Sequence, residues 1–399
     1  MPTTAFRRGA TRTGLIAGAV IASFALASCA GPAEETTTAA PAAGSVDLAA
    51  AGCPADIKIQ TDWNPEAEHG HLYSLFDVEG GDYTIDSGVK SVTGPLTLDG
   101  EPTGVDVTVL AGGPATGFTQ PNAQMYSDES IFMAYVGTDE AIANWEQLPT
   151  VGVFAPLEKD PQMLMWDPET FPDVQGIADF AAEGMPVVVF PGGTYIDYFV
   201  GIGYINADQV DATYDGSPAR WVAEDGAIVQ QGFASAEPYI YLNEVPEWGK
   251  EVSYQLINDA GYPKYAAMMS VRPEHVTEYA DCLAELVPVL QQAEVNYYTD
   301  ETFQADVNSL ILELVDAYDT GWIYGPEVAE FSVETQLADG LVSDGPDSTL
   351  GNFDEARVAE LFDIVGPIFA EQGIEVPEDL TAEMLYTNDF VDPAISLGQ

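Results

Sequence analysis

Asp62, Trp63, Glu66 and His69 lie together in one short stretch, just past the alternating run Asp56-Ile57-Lys58-Ile59-Gln60. Pro65 stops the strand, and a helix-like pattern runs from about His69 to Val78, where Gly80-Gly81 ends it. Two carboxylates, an indole and an imidazole therefore crowd the carboxyl end of a strand, the place where open α/β sheets take up ligands. The indole offers a flat face for stacking on a ring, and the carboxylates and imidazole offer hydrogen bonds. An ordinary strand-to-helix turn would carry the same residue types, so the stretch alone does not decide between binding and structure.

Three further turns have the right composition. Val105 to Leu110 alternates as a strand and runs into Gly112-Gly113, with Phe118 beyond. Met185 to Phe190 reads as a buried strand, followed by the turn Pro191-Gly192-Gly193-Thr194 and a helix from Tyr195, with Thr194 as its expected cap. The free N–H groups of that turn suit a carboxylate, sulfonate, phosphate or carbonyl oxygen. It is no phosphate loop, because no Gly-Lys-Ser/Thr follows. Glu237 and Tyr239 stand at the mouth of a helix opened by Ser235. No Ser-His-Asp arrangement stands out. His69 and His71 are two apart on one loop and give no zinc-ligand spacing; His71 and His275 read as structural or exposed, and no metal or cofactor is implied.

The elements that position these residues alternate. Further strands are expected at Ile131 to Val136, Val151 to Pro156, Gln162 to Trp166, Val210 to Tyr214, Ile228 to Ala234, Val252 to Leu256 and Ala267 to Val271. Short helices fall between them, one capped by Thr138, and a long one runs from Pro273 to about Tyr297. The alternation predicts a mostly parallel sheet with helices on its faces. The last hundred residues are mainly helical, at about 301–318, 326–337 and 354–372. Leu310, Leu312, Leu314 and Val315 recur there at the spacing of a packed face.

Among 399 residues, 65 are acidic and only 11 basic, so a nucleic-acid partner would meet net repulsion and find no basic patch. The first 28 residues carry Arg7, Arg8 and Arg12 before a short apolar core from Gly14 to Leu26, the form of a signal peptide. Leu26-Ala27-Ser28-Cys29 resembles a bacterial lipobox, which implies a lipid on Cys29. Residues 29–52, rich in Ala, Thr, Pro and Gly, read as a flexible tether. Cys53 and Cys282 then form an even pair in an oxidising compartment and read as a disulfide, with two free thiols as the alternative.

Asp62-Trp63-x-Pro65-x-x-x-His69, with Leu72-Tyr73 after it, resembles the opening of solute-binding proteins of ABC transporters for thiamine pyrimidine precursors, within the wider family of nitrate-, sulfonate- and taurine-binding proteins. The likeness spans roughly residues 55 to 300. The family's pattern has Asn and Gly where this chain has Glu66 and His71. Membership implies an α/β, two-lobed type II periplasmic-binding-protein fold, here with a helical C-terminal extension at 301–399. The first lobe would comprise residues 53–150 and 250–300, and the second 151–249. It further implies a non-catalytic, monomeric receptor, lipid-anchored on the outer face of the cytoplasmic membrane, that closes on a small solute and docks on a permease. Trp63 and His69 would touch the ligand. Asp62, Glu66 and Glu237 are expected as acceptors, Phe118, Tyr195 and Tyr239 as further stacking surfaces, and Gly112, Gly113, Gly192, Gly193 and Thr194 as binding loops. The expected solute is flat, heteroaromatic or amide-bearing, and neutral or cationic. A receptor for nitrate or a sulfonate is the second reading, and a pyrimidine-processing enzyme on the same fold is the third.

Overall fold

A computed structural model describes residues 46–398; the signal peptide, Cys29 and most of the tether lie outside the described residues. The end of the expected tether belongs to the fold. Leu48 is fully buried, its N–H donates to the Thr103 carbonyl at 2.9 Å, and its carbonyl accepts from Cys53. One apolar side chain in a polar run is enough to dock this segment.

Two sheets organise the chain. The first contains β1 (Asp56–Gln60), β2 (Thr84–Asp86), β3 (Ser91–Leu98), β4 (Glu101–Leu110), β5 (Ile131–Val136), β6 (Val151–Phe154) and β12 (Met268–Val271), in the order β2-β3-β4-β1-β5-β12-β6. The second contains β7 (Gln162–Trp166), β8 (Val187–Val188), β9 (Val210–Asp211), β10 (Val229–Phe233) and β11 (Ser253–Leu256), in the order β11-β7-β10-β8-β9. The chain leaves the first sheet after Phe154 and returns to it at Met268. β1 shows why the period-two pattern works: Ile57 and Ile59 point into the core while β4 and β5 run parallel on either side.

The sheets are mixed, contrary to the mostly parallel arrangement expected. β12 runs antiparallel to β5 and β6, and β7 antiparallel to β10 and β11, because a strand arriving from the other sheet enters from the opposite end. The segment after Gly81, expected to be loose, instead forms the β2–β3–β4 meander. Its tightest turn is Asp99-Gly100, both with positive φ (53° and 77°), the twist that matches two antiparallel strands.

The helices differ from expectation mainly at their ends. The helix near His69 is brief, a 3₁₀ turn at Ala67–His69 and one α-turn at Gly70–Tyr73. Gly70 lies so close to the Tyr297 ring that an added Cβ would sit 2.2 Å from it. The long helix expected from Pro273 breaks at Tyr279, giving Pro273–Glu278 and Ala280–Thr299. Neither threonine cap forms: the residues at the cap positions are Gly137 and Gly193, and the Thr138 hydroxyl instead donates to the Tyr265 carbonyl at 3.3 Å.

The C-terminal helices Glu301–Tyr318, Pro326–Ala338 and Glu355–Gln372 pack on both lobes. Leu310 and Leu314 are fully buried, with Leu312 and Val315 packed beside them. Helix 326–338 touches the 3₁₀ turn of the first lobe and helix Glu237–Asn243 of the second. Helix 355–372 touches Thr138–Ala143 of the first and Thr194–Gly201 of the second, where Gln372 Nε2 donates to Asp197 at 2.7 Å.

Cys53 and Cys282 are bonded across 229 residues, joining the start of the first lobe to helix 280–299. Cross-linking so long a loop restricts the unfolded chain strongly, by about 2–5 kcal/mol. The double variant Cys53→Ser/Cys282→Ser is therefore expected to fold but to lose stability of that order in urea titration. An unchanged midpoint would show that the bond contributes nothing.

Candidate functional site

The turn after β1 is built by side chains that hold two strand ends together. Gln60 is buried, and its amide donates to the carbonyls of Thr61 and Ala111 at 3.0 and 3.1 Å. The Thr61 hydroxyl reaches the carbonyls of Leu110 and Trp63, each at 3.1 Å, and Gly112 N–H donates to the Trp63 carbonyl at 2.8 Å. Here glycine is required twice. A Cβ on Gly112 would stand 2.3 Å from the Thr61 carbonyl oxygen, and one on Gly113 (φ +54°) 2.5 Å from the Trp63 ring. These glycines seat the indole from behind.

Trp63 stands where three parts of the chain meet. Its ring centroid is 6.0 Å from each of three others: Phe118 of the first lobe, Phe190 of the second, and Trp322 of the C-terminal extension. Phe190 in turn lies 4.8 Å from Tyr214, and Gly216 approaches the far edge of the indole. Phe118 remains more than half exposed. The result is an aromatic cleft between the lobes, with a neighbouring space lined by Tyr214, Gly216, Ser217, Glu237, Tyr241 and Trp322.

Carboxyl groups surround this cleft. Asp62 is part-exposed and lies 3.1 Å from Nε2 of the buried His69, whose Nδ1 has no partner. Burial, and then Glu68, Asp62 and Glu237 nearby, raise the Glu66 carboxyl well above its ordinary range. Burial pushes Glu237 up to about 7, although Phe233 N–H donates to it at 2.7 Å. Glu68 is likewise raised by burial; the hydroxyl of Ser235, from the second lobe, donates to one of its oxygens, and that of Ser332 lies 3.5 Å from the other. His71 sits behind the site as a structural group, bonded to the Tyr135 hydroxyl at 2.9 Å and lowered to about 3 by burial.

A second buried polar group lies between the lobes. Tyr262 donates to Asp139 at 2.9 Å, and Lys264 is 3.6 Å from Asp160. Burial opposes the Lys264 charge, but Asp139, Asp160 and Glu140 outweigh it and hold the ammonium protonated. Glu140 is raised to about 7, chiefly by burial.

The expected residues divide. Asp62, Trp63, Glu66, His69, Phe118 and Glu237 come together, with Gly112 and Gly113 behind them. Tyr195 does not offer a stacking face: it is buried in the second lobe, accepting from Gln162 at 3.2 Å and donating to Gln231 at 3.1 Å. Tyr239 packs instead on Phe331 of helix 326–338. Gly192 is open on its Cβ side, whereas Gly193 is covered by the Tyr195 ring. Sequence reading missed Phe190, Tyr214, Glu68 and Trp322. Phe190 was detectable as the last residue of a buried strand before a glycine turn; Trp322 falls between two expected helices, where no pattern singled it out.

What the cleft can do follows from this chemistry. Its faces are aromatic, and its edges carry carboxyls kept near neutrality, each able to donate one hydrogen bond and accept another. Among the described residues every lysine and arginine is engaged elsewhere; Lys264 is held by its acidic neighbours.

No family model matches the chain, and no curated protein does. Solved structures do resemble it. The alkanesulfonate-binding protein of Xanthomonas axonopodis pv. citri, bound to MOPS, aligns with a TM-score of 0.52 at 10% identity, over 84% of this chain and 98% of that one. The periplasmic aliphatic sulphonate-binding protein of Escherichia coli aligns at 0.52 and 12% identity, over 84% and 92%. A sulfonate ABC transporter periplasmic protein of Methylobacillus flagellatus aligns at 0.50 and 13%, over 84% and 92%. At such identities the likeness establishes the fold alone: two α/β lobes of the periplasmic-binding-protein type, a likeness that covers 84% of this chain and so includes much of the C-terminal helical region.

The raised carboxyls have a measurable consequence. A group whose folded pKa lies above its unfolded value binds more protons when folded, so its contribution is lost as pH rises from about 4.5 through the folded value near 7. Stability is therefore expected to fall between pH 5 and pH 8, by on the order of 1–3 kcal/mol per such carboxyl. Glu237→Gln should flatten part of that slope in unfolding titrations at several pH values. An unaltered slope would mean that Glu237 ionises normally.

Proposed function

We propose that this chain is a lipid-anchored, non-catalytic receptor of an ABC importer, which captures a small planar heteroaromatic solute by closing two lobes over it. The fold supports the receptor class. The reading of the solute rests on one observation above all: Trp63 lies between the lobes, near the buried carboxyls of Glu66 and Glu237, whose proton affinity burial raises. A neutral carboxyl presents a donor and an acceptor side by side. That pair matches the ring-nitrogen and amino edge of an aminopyrimidine, while the indole stacks on the ring. Protonated or cationic versions of the ring fit as well, since the same carboxyls then ionise.

The structural neighbours whose names refer to sulfonates suggest a second reading, a small anion. The cleft argues against it. Around Trp63 the groups are carboxyls and aromatics, and the nearest buried cation, Lys264, is flanked by Asp160, Asp139 and Glu140. An anion would have to displace or neutralise these. An enzyme reading has less support still: the Ser235 hydroxyl, bonded to the Glu68 carboxyl, is fully buried.

We place the protein on the outer face of the cytoplasmic membrane, held by lipid on Cys29, as a monomer that docks on a permease. The supports are the lipobox resemblance and the fold. Growth with labelled fatty acid should mark the wild type and not Cys29→Ser.

Calorimetry tests the solute. 4-Amino-5-hydroxymethyl-2-methylpyrimidine is expected to bind, and Trp63→Ala to weaken it by about 10–100-fold, the loss of one stacked ring. Binding of methanesulfonate in place of the pyrimidine would favour the anion reading. Binding of the pyrimidine undiminished by Trp63→Ala would move the site elsewhere.

A further inference from the structure

The segment 319–325, between helices 301–318 and 326–338, is neither helix nor strand, and it is fastened to the turn that carries Trp63. Asp319 ends the preceding helix in the left-handed region (φ +48°), and Gly321 (φ +85°) turns the chain again. Thr320 Oγ1 donates to Asn64 Oδ1 at 2.8 Å, and Ala67 N–H donates to the Tyr324 hydroxyl at 2.8 Å. The segment is thus bonded to residues on both sides of Pro65-Glu66. Between those two bonds Trp322 stacks on Tyr324 (5.9 Å, 20° between planes) and meets Trp63 edge to face (6.0 Å, 89°).

Trp322 also lines the space whose opposite side is Tyr214, Gly216, Ser217 and Glu237 of the second lobe. Its Nε1 is buried and has no hydrogen-bond partner. The same holds for Trp166 and Trp221, but those lie in the core, whereas Trp322 borders a space where an acceptor on a solute could satisfy it.

We propose that the C-terminal extension supplies a third wall of the solute site, and that Trp322 contacts the solute through its ring and donates a hydrogen bond from Nε1 to an acceptor on it. The proposal rests on the reading of this cleft as a receptor for a planar heteroaromatic. It gives the extension a direct part in recognition: the two lobes supply Trp63, Phe190 and the carboxyls, and the segment 319–325 closes the remaining side. The solute is then chosen partly by a stretch of chain some 250 residues beyond Trp63.

The test is calorimetry with 4-amino-5-hydroxymethyl-2-methylpyrimidine on the wild type, Trp63→Ala, Trp322→Ala and Trp322→Phe, each checked by thermal unfolding. Trp322→Ala is expected to weaken binding by about 10–100-fold. Trp322→Phe, which keeps a ring but not the N–H, should weaken it by about 5–10-fold with no change in melting. If Trp63→Ala loses binding while both Trp322 variants bind like the wild type, the third wall is overturned and the receptor reading stands. If the wild type does not bind the pyrimidine, the reading of the solute and the proposal fall together. Should Trp322→Ala fail to fold, Trp322→Phe decides alone: wild-type affinity in it overturns the proposal.

Discussion

Glu68 is a carboxyl buried where three parts of the chain touch, and among the described residues no lysine or arginine is bonded to it. It belongs to the first lobe, takes a hydrogen bond from Ser235 of the second, and faces Ser332 of the extension. Ser332 accepts in turn from Gln336, and Gln336 from Tyr298, so a run of hydroxyl and amide donors carries the carboxyl's demand into helix 280–299. A lone buried carboxylate is costly, and burial therefore favours its protonated form. A chain with 65 acidic and 11 basic residues cannot match each such group with a lysine or arginine. Lys264 serves Asp139 and Asp160, whereas Glu68 is met by hydroxyls. At the cleft, burial raises the carboxyls of Glu66 and Glu237.

Much of this was legible before any coordinates. The Asp62-to-His69 stretch, the glycine turns and the paired cysteines each rest on local rules, and the residues obey them locally. β1 and the helix 301–318 lie within the expected ranges because their apolar spacing has one solution. What was not legible depends on partners far away in the chain. Gly70 has no room for a side chain because of the ring of Tyr297, and Leu48 docks because β4 offers it a backbone partner. The β3–β4 turn was readable from Asp99-Gly100 between alternating runs, but Gly80-Gly81 just upstream suggested looseness. Tyr195 and Tyr239 have the composition of binding residues and point into packing instead. Composition cannot tell a ring that faces a cleft from one that faces a core, and nothing in the stretch between helices 301–318 and 326–338 marked Trp322.

The extension has a further role in the architecture. Two of its helices each touch both lobes, on different sides of the molecule, through contacts such as Tyr239 with Phe331 and Gln372 with Asp197. Lobes joined only by crossing strands swing freely about their hinge. Here helix 326–338 and helix 355–372 each contact both lobes, while the Cys53–Cys282 bond ties the start of the first lobe to helix 280–299.

That bracing changes the economics of letting go. A receptor whose open form is disfavoured by contacts of its own holds its cargo longer than the cargo's affinity alone would dictate, since departure waits on a rare excursion of the frame. For the importer receptor proposed above, spontaneous loss to the medium would then be slow, and unloading would fall to whatever grips the two lobes and pulls them apart.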